Sequence, residues 1–248
     1  MRPLAPPRPD TSSPTTVAWW WLVAASILVL ALAAVTLLVW WGRTVETRTT
    51  SYRVLGDLAG VRLDLADADV EITGGGTALD VRQTERFAFG QPPQESHRVE
   101  NGTLTIVSRC PDQVLGSCKA SYKLTVPDNV PLDIETAHGT VHLDGVRASL
   151  QVNTGSGDID ATGYCGFSLS ASSDSGNVDV VSECSADRLE LRSRSGDVNA
   201  TVPAGRYAVQ AQSDTGEVRT RGLDNVEDAG FEIQAESTSG DVSLEAAS

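Results

Sequence analysis

The chain has 248 residues, 40% hydrophobic and 21% charged, enough for one or two domains. Its 33 acidic and 19 basic residues leave a net charge of −14. A phosphate backbone is repelled by such a surface, which excludes nucleic acid as a partner and disfavours anionic lipid or wall polymers unless cations bridge them.

The first 16 residues, MRPLAPPRPDTSSPTT, are proline-rich and read as a disordered cytoplasmic tail (1–16). Val17 to Trp41 then runs 25 residues without a charge. At about 1.5 Å per residue that length crosses the roughly 30 Å hydrocarbon layer of a bilayer. Trp19, Trp20 and Trp21 stand at one end and Trp40 and Trp41 at the other, as in the aromatic belts of membrane interfaces. A cleaved secretory signal has a shorter apolar core, about 7 to 15 residues, before a small-residue site. Ala33 and Ala34 imitate that site, but the apolar run continues through Leu37, Leu38 and Val39, so 17–41 reads as an uncleaved single-pass anchor. Arg2 and Arg8 before it and Arg43 and Arg48 after it barely bias its orientation. Residues 42–49 read as a linker.

Without Arg2, Arg8 and Asp10, the rest of the chain keeps 17 basic and 32 acidic residues, a net charge of −15. Residues 50–130 look like an irregular N-terminal β part. ALDVRQTERF, GTLTIVS and YKLTVP read as strands, and FGQPPQES as a turn or exposed loop.

Residues 131–248 repeat. NTGSGDIDA at 153–161 returns in shortened form as SSDSGNVDV, SRSGDVNA, SDTGEVRT and STSGDVSL. The corner glycines Gly139, Gly157, Gly176, Gly196, Gly216 and Gly240 are about 20 residues apart, the period of a solenoid. Seven residues before each glycine stand Leu132, Leu150, Leu169, Leu189, Val209 and Ile233, and five before stand Ile134, Val152, Ala171, Leu191, Ala211 and Ala235. Two after come Val141, Ile159, Val178, Val198, Val218 and Val242, and four after come Leu143, Ala161, Val180, Ala200, Thr220 and Leu244. Apolar residues two apart mark a strand with one buried face, so each copy reads as strand, Ser-Gly corner, strand. Val61, Leu63, Val70 and Ile72 fit the same columns with Ala68 in the glycine slot, which adds a degenerate rung. The expected fold is all-β: a parallel β-helix-like solenoid of about six to seven rungs, right-handed by the usual rule for parallel crossovers, after one transmembrane helix.

The column after the glycine offers a weak cation ladder, with Asp158, Asp197, Glu217 and Asp241 stacked about 4.8 Å from their neighbours. Calcium is the cation such carboxylates would hold, although calcium β-rolls repeat every nine residues. Otherwise no cofactor or metal is called for. Cys165 and Cys184 each lie eight residues after their glycine, so the register places them side by side at disulfide distance. Cys110 and Cys118 close the short loop CPDQVLGSC. Zinc is the rival for these cysteines, but neither pair has C-x-x-C spacing. Two ready disulfides imply an oxidising compartment and therefore an extracytoplasmic C-terminal domain with a cytoplasmic N-terminus.

No catalytic residue stands out. Asp158 with Asp160, or Asp179 with Asp197, are carboxylate pairs of the kind a β-helix polysaccharide lyase or hydrolase uses, yet such residues recur in every rung. His138 and His142 flank a corner, where histidines are ordinarily just solvated. GGG at 74–76 lacks the lysine of a phosphate loop.

LTVPDNVPLDIETAHGTVHL and the successive SGDI, SGNV, SGDV, TGEV and SGDV corners resemble the bacterial adhesin-type domains of unknown function, the 4097 type, over about residues 50 to 248. The resemblance implies a β-helix-like domain of the cell envelope for which adhesion is a label more than a shown activity. His138 departs from that pattern by standing where the corner serine does.

Three functional classes follow. The first is a membrane-anchored binding or sensing module for an envelope protein or a cationic ligand. The second is a scaffold or spacer, self-associating through the rung GDVSLEAAS, which ends the chain without a cap and should leave backbone groups unpaired. The third is a polysaccharide-active enzyme.

Overall fold

The computed structural model describes residues 15–42, 45–88, 92–111 and 118–247. The expected disordered tail, apart from its last two residues, lies outside them. The chain divides into Met1–Thr44 and Val45–Ser248. In the first unit, α1 (Thr15–Gly42) is one continuous helix, with Ser26 and Thr36 returning their hydroxyls to carbonyls of the preceding turn. Both hydroxyls are thus satisfied within the helix itself.

The second unit is all strand. β1 (Val45–Val54) begins inside the segment expected to be a linker, because Val45 to Val54 pair residue for residue with β3 (Leu79–Ala88). Between them, β2 (Gly60–Gly76) is a long bent strand; β4 (Gln94–Glu100), β5 (Thr103–Arg109) and β6 (Cys118–Pro127) follow. Of FGQPPQES, expected as a turn or exposed loop, residues 89–91 lie outside the described residues and Gln94 to Ser96 pair with β5.

The repeats give β7 (Leu132–His138) and β8 (Val141–Asp144), β9 (Leu150–Ser156) and β10 (Ile159–Tyr164), β11 (Ser168–Ser175) and β12 (Val178–Ser182), and β13 (Arg188–Ser195) and β14 (Val198–Val202). Next come β15 (Arg206–Ser213), β16 (Val218–Arg221), the two-residue β17 (Asp224–Asn225), and β18 (Glu232–Ser239) with β19 (Val242–Ala246). Each rung places its first strand in one sheet and its second in the other. Sheet I runs β4-β5-β2-β7-β9-β11-β13-β18-β15, with β2 entering by its first half. Sheet II runs β1-β3-β6-β2-β8-β10-β12-β14-β19-β16, with β2 entering by its second half. All pairings are parallel except β1–β3, β3–β6 and β4–β5. The degenerate rung is real: Val61, Leu63, Val70 and Ile72 lie beside Leu132, Ile134, Val141 and Leu143. A further rung, β5 with β6, lies beyond it and turns through the connection closed by Cys110–Cys118.

Stacking order departs from chain order at both ends. β2 lies between β5–β6 and β7–β8, although it precedes both. At the other end β18–β19 lies against β13–β14, and β15–β16 packs outside β18–β19. This corrects the expectation that GDVSLEAAS forms the open end. The physical reason is apolarity. Ile233, Ala235, Val242 and Leu244 are all buried, whereas the rung at 206–221 offers Val209, Ala211, Val218 and Thr220, of which Val218 is 44% exposed. Placing the more apolar rung inside removes more apolar surface from water, at about 25 cal/mol per Å². The spacing from Gly216 to Gly240, longest of the set, supplies the chain for the detour.

Candidate functional site

Three features outside the apolar core could carry function: the corner, the outer face of sheet II, and a polar cluster where the stack begins.

The corner is built by contact. A Cβ placed on Gly139, Gly157, Gly176, Gly196, Gly240 or Gly216 would lie 1.9 to 2.3 Å from the carbonyl oxygen at the corner of the neighbouring rung. No side chain fits there, whatever the backbone angle. Gly139 and Gly157 also have φ of 142° and 147°, a region left to glycine. Ala68 occupies the glycine slot where the next rung out has the Cys110–Cys118 connection instead of a Ser-Gly corner; its register partner is Ala120.

Each of these carbonyls is met by a hydroxyl three residues before the glycine of the adjoining rung, on a buried residue in every case but the half-buried Ser213. Ser173 donates to Gly157 O at 3.0 Å, Ser193 to Gly176 O at 2.8 Å, Ser237 to Gly196 O at 2.8 Å and Ser213 to Gly240 O at 2.7 Å. Thr154 and Thr136 reach Gly139 O and Ala68 O at 3.5 and 3.4 Å. The sequence reading passed over this column. Its signal was present, since Ser or Thr stands three before the glycine in all six copies.

The column after the glycine forms a second ladder. Asp158 Oδ1 accepts the N–H of Asn177, Asn177 Oδ1 that of Asp197, Asp197 Oδ1 that of Asp241 and Asp241 Oδ1 that of Glu217, at 2.8 to 2.9 Å. Asp158 is therefore separated from the other three candidates by Asn177, while Asp197, Asp241 and Glu217 are consecutive. Arg219 stands against both Asp241 and Glu217. The N–H of Glu217, and then Arg219, hold the Asp241 carboxyl below the usual carboxylate range. These contacts absorb charge that the cation reading assigned to calcium. Among the described residues no group of three His, Cys, Asp or Glu converges as metal ligands do.

The two proposed acid-base pairs also divide. Asp160 faces His142 Nδ1 at 3.1 Å and Asp179 accepts from Asn199 Nδ2 at 2.7 Å, while Asp158 and Asp197 are held in the corner ladder. His138 Nδ1 lies 2.7 Å from Ser156 Oγ, so the two histidines have different partners.

The outer faces of the two sheets differ in charge balance. On sheet I, Asp133 pairs with Arg62, Asp64 with Arg109, Glu232 with Arg188, and Glu190 and Glu236 with Arg192. The ends of sheet II are similarly neutralised, by Lys119 and Lys123 on Asp69 and Glu71 and by Arg221 on Glu245. Between them, Asp144, Asp158, Asp160 and Asp179 on β8, β10, β12 and their corner have no Lys or Arg partner among the described residues.

At the start of the stack, the space between the sheets fills with polar groups. Tyr122 donates to Glu95 Oε2 at 2.8 Å, buried Gln83 donates to Glu85 Oε1 at 2.8 Å, and the Tyr52 ring stacks on His97 with centroids 5.0 Å apart. The buried Tyr52 hydroxyl has no hydrogen-bond partner among the described residues. Burial, and then the charge of Glu95, raise the Glu85 carboxyl above its ordinary range. This cluster gave no signal in the sequence because its members come from four separate strands.

Both cysteine pairs are disulfides, with Cα separations of 4.8 Å for Cys165–Cys184 and 5.9 Å for Cys110–Cys118. The first ties two neighbouring rungs together at their outer turns.

Stacked Ser-Gly corners in two parallel sheets are the decisive pattern. Residues 129–244 match the family model Toastrack, DUF4097. The Toastrack match opens just before β7 and ends in β19, so β1–β6 precede it. A "putative cell adhesion protein" of Clostridium sporogenes has the same fold, with a TM-score of 0.53 at 13% identity, over 82% of this chain and 100% of its own. A "putative adhesin" of Bacteroides fragilis is 12% identical, with a TM-score of 0.45, over 82% of this chain and 97% of its own. No curated protein matches the chain.

Proposed function

We propose that the protein is a single-pass membrane-anchored binding module whose Toastrack repeats stand on the extracytoplasmic side and hold a cationic segment of an envelope partner. The observation that carries this reading is the contrast between the sheets: on sheet I the outward carboxylates Asp64, Asp133, Glu190, Glu232 and Glu236 each meet an arginine, with Glu135 the exception, while Asp144, Asp160 and Asp179 on sheet II and Asp158 at the adjoining corner have no lysine or arginine partner among the described residues. Neighbouring rungs are about 4.8 Å apart, so this stripe concentrates negative charge on a rigid surface. Such a surface steers and orients a basic ligand more than it traps one, and its affinity should fall with salt. The apolar α1 supports the anchor, and the two disulfides support an oxidising location. Catalysis has no support in these contacts, because the candidate carboxylates are committed to separate neighbours.

Asn at Asp158, Asp160 and Asp179 tests the reading, since Asn177 already fills the corner column as a neutral acceptor. Crosslinking of the intact protein in its native membrane, followed by mass spectrometry, should recover a basic envelope protein from the parent chain and much less of it from the triple variant. Equal recovery from both, or crosslinks confined to sheet I, would overturn it.

A further inference from the structure

The rung at 206–221 ends the stack, and its two strands end it differently. β15 is guarded. Asn225 accepts the Val209 N–H at 3.1 Å and returns its own amide to Val209 O at 3.4 Å, and Asp224–Asn225 pair with Arg206–Tyr207. Among the described residues β16 has no such cover: Val218, Arg219, Thr220 and Arg221 are all exposed, and the strand pairs with β19 alone. Because the Glu217 carbonyl accepts from Val242, the N–H and C=O of Glu217 and Arg219 face β19, and those of Val218 and Thr220 face outward by alternation.

We infer that two copies of this chain join edge to edge through β16, antiparallel, about a two-fold axis at Val218. The outward N–H and C=O of Val218 fit the doubly hydrogen-bonded kind of antiparallel pair, each copy giving one bond and receiving one. Charge selects the register. With Val218 on the axis, Glu217 of one copy lies opposite Arg219 of the other, twice, in the close non-hydrogen-bonded position. Centring on Arg219 instead sets two arginines face to face, which is destabilising. The half-exposed Val218 side chains meet on the inward face, so the two apolar cores become continuous. Arg221 does not block approach, since its head is drawn back over β19 to Glu245, and Arg219, which bridges its own Glu217 and Asp241, has to share or exchange the first of these for Glu217 of the second copy. A two-fold interface uses the same patch on both copies and therefore closes at two. It lies on the strand edge, apart from the acidic face, and stands or falls independently of the cationic ligand.

The test is cysteine crosslinking of the full chain in its native membrane, with the four native cysteines left in their disulfides. Val218→Cys should give a covalent dimer under mild oxidation, and Val181→Cys, equally exposed on the face of sheet II, should not. In detergent, the full chain should sediment as a dimer and Glu217→Arg as a monomer with unchanged circular dichroism. The double variant Glu217→Arg with Arg219→Glu, which restores opposite charges across the axis, should recover the dimer. A monomeric parent chain, a dimer that Val218→Cys fails to trap, or crosslinking of position 218 only to a different protein would each overturn the inference.

Discussion

Ser193 Oγ donates to the Gly176 carbonyl oxygen at 2.8 Å, across the boundary between two rungs. That carbonyl also faces the bare Cα of Gly196, where a methyl group would sit 2.3 Å away. One residue is small so that rungs can touch, and the other is polar so that the touching surface is satisfied.

Ser193→Ala leaves the Gly176 carbonyl without this hydroxyl in a buried setting. The expected loss is about 1 to 2 kcal/mol, read from the urea midpoint, with the unfolding slope unchanged. Loss below the error of the fit would mean that the ladder is incidental.

Gly176→Ala asks the rung to move away from Gly157. A clash with main chain cannot be relieved by a rotamer, so a loss of more than about 3 kcal/mol, or failure to fold, is expected. Ala68→Gly, in the same column but beside Ala120, should cost no more than about 1 kcal/mol by melting temperature.

Cys165→Ala with Cys184→Ala should lower stability by about 2 to 4 kcal/mol relative to the oxidised parent. Reductant should lower the parent's stability by more than it lowers the double variant's, because the variant retains only Cys110–Cys118 to be reduced.

Two carboxyls give opposite pH signatures. The folded pKa of Asp241 is depressed by the Glu217 N–H and then Arg219, so its contribution is present above the unfolded pKa and lost as pH falls through the folded one. The deficit of Asp241→Asn should therefore be largest near neutrality and shrink on strong acidification. The folded pKa of Glu85 is raised by burial and then Glu95, so its favourable contribution holds below the unfolded pKa and is lost as pH rises through the folded one. Glu85→Gln, which keeps an acceptor for Gln83, should flatten that decline. Melting temperatures across pH 3 to 8, a range of about five pH units, compare the parent and the two variants.

The inward columns of the repeats were legible because every rung but the outermost, 206–221, buries the same four positions. Leu132, Val152, Val178 and Leu191 could be placed from spacing alone, and so could Cys165 beside Cys184. Two things were hidden. Rung order at the ends depends on the difference in burial between Ile233 with Leu244 and Val209 with Thr220, which periodicity treats as equivalent. The Tyr52, Glu85, Glu95 and Tyr122 cluster depends on pairings between β1, β3, β4 and β6 that no repeat dictates. The acidic column was visible in sequence, but its meaning was not: only register shows that Asp197 faces the N–H of Asp241 rather than empty solvent.

The inserted last rung also orders events during synthesis. Residues 206–221 leave the ribosome before 232–246, yet their docking surface is 232–246. The penultimate segment has to wait, and a chain released early has nowhere to put it. Loss of residues 232–246 would strip the neighbour of Leu189 and Val198 and strand the rung made before it. The segment 232–246 thereby acts as a keystone, joining a rung made well before it to one made just before it.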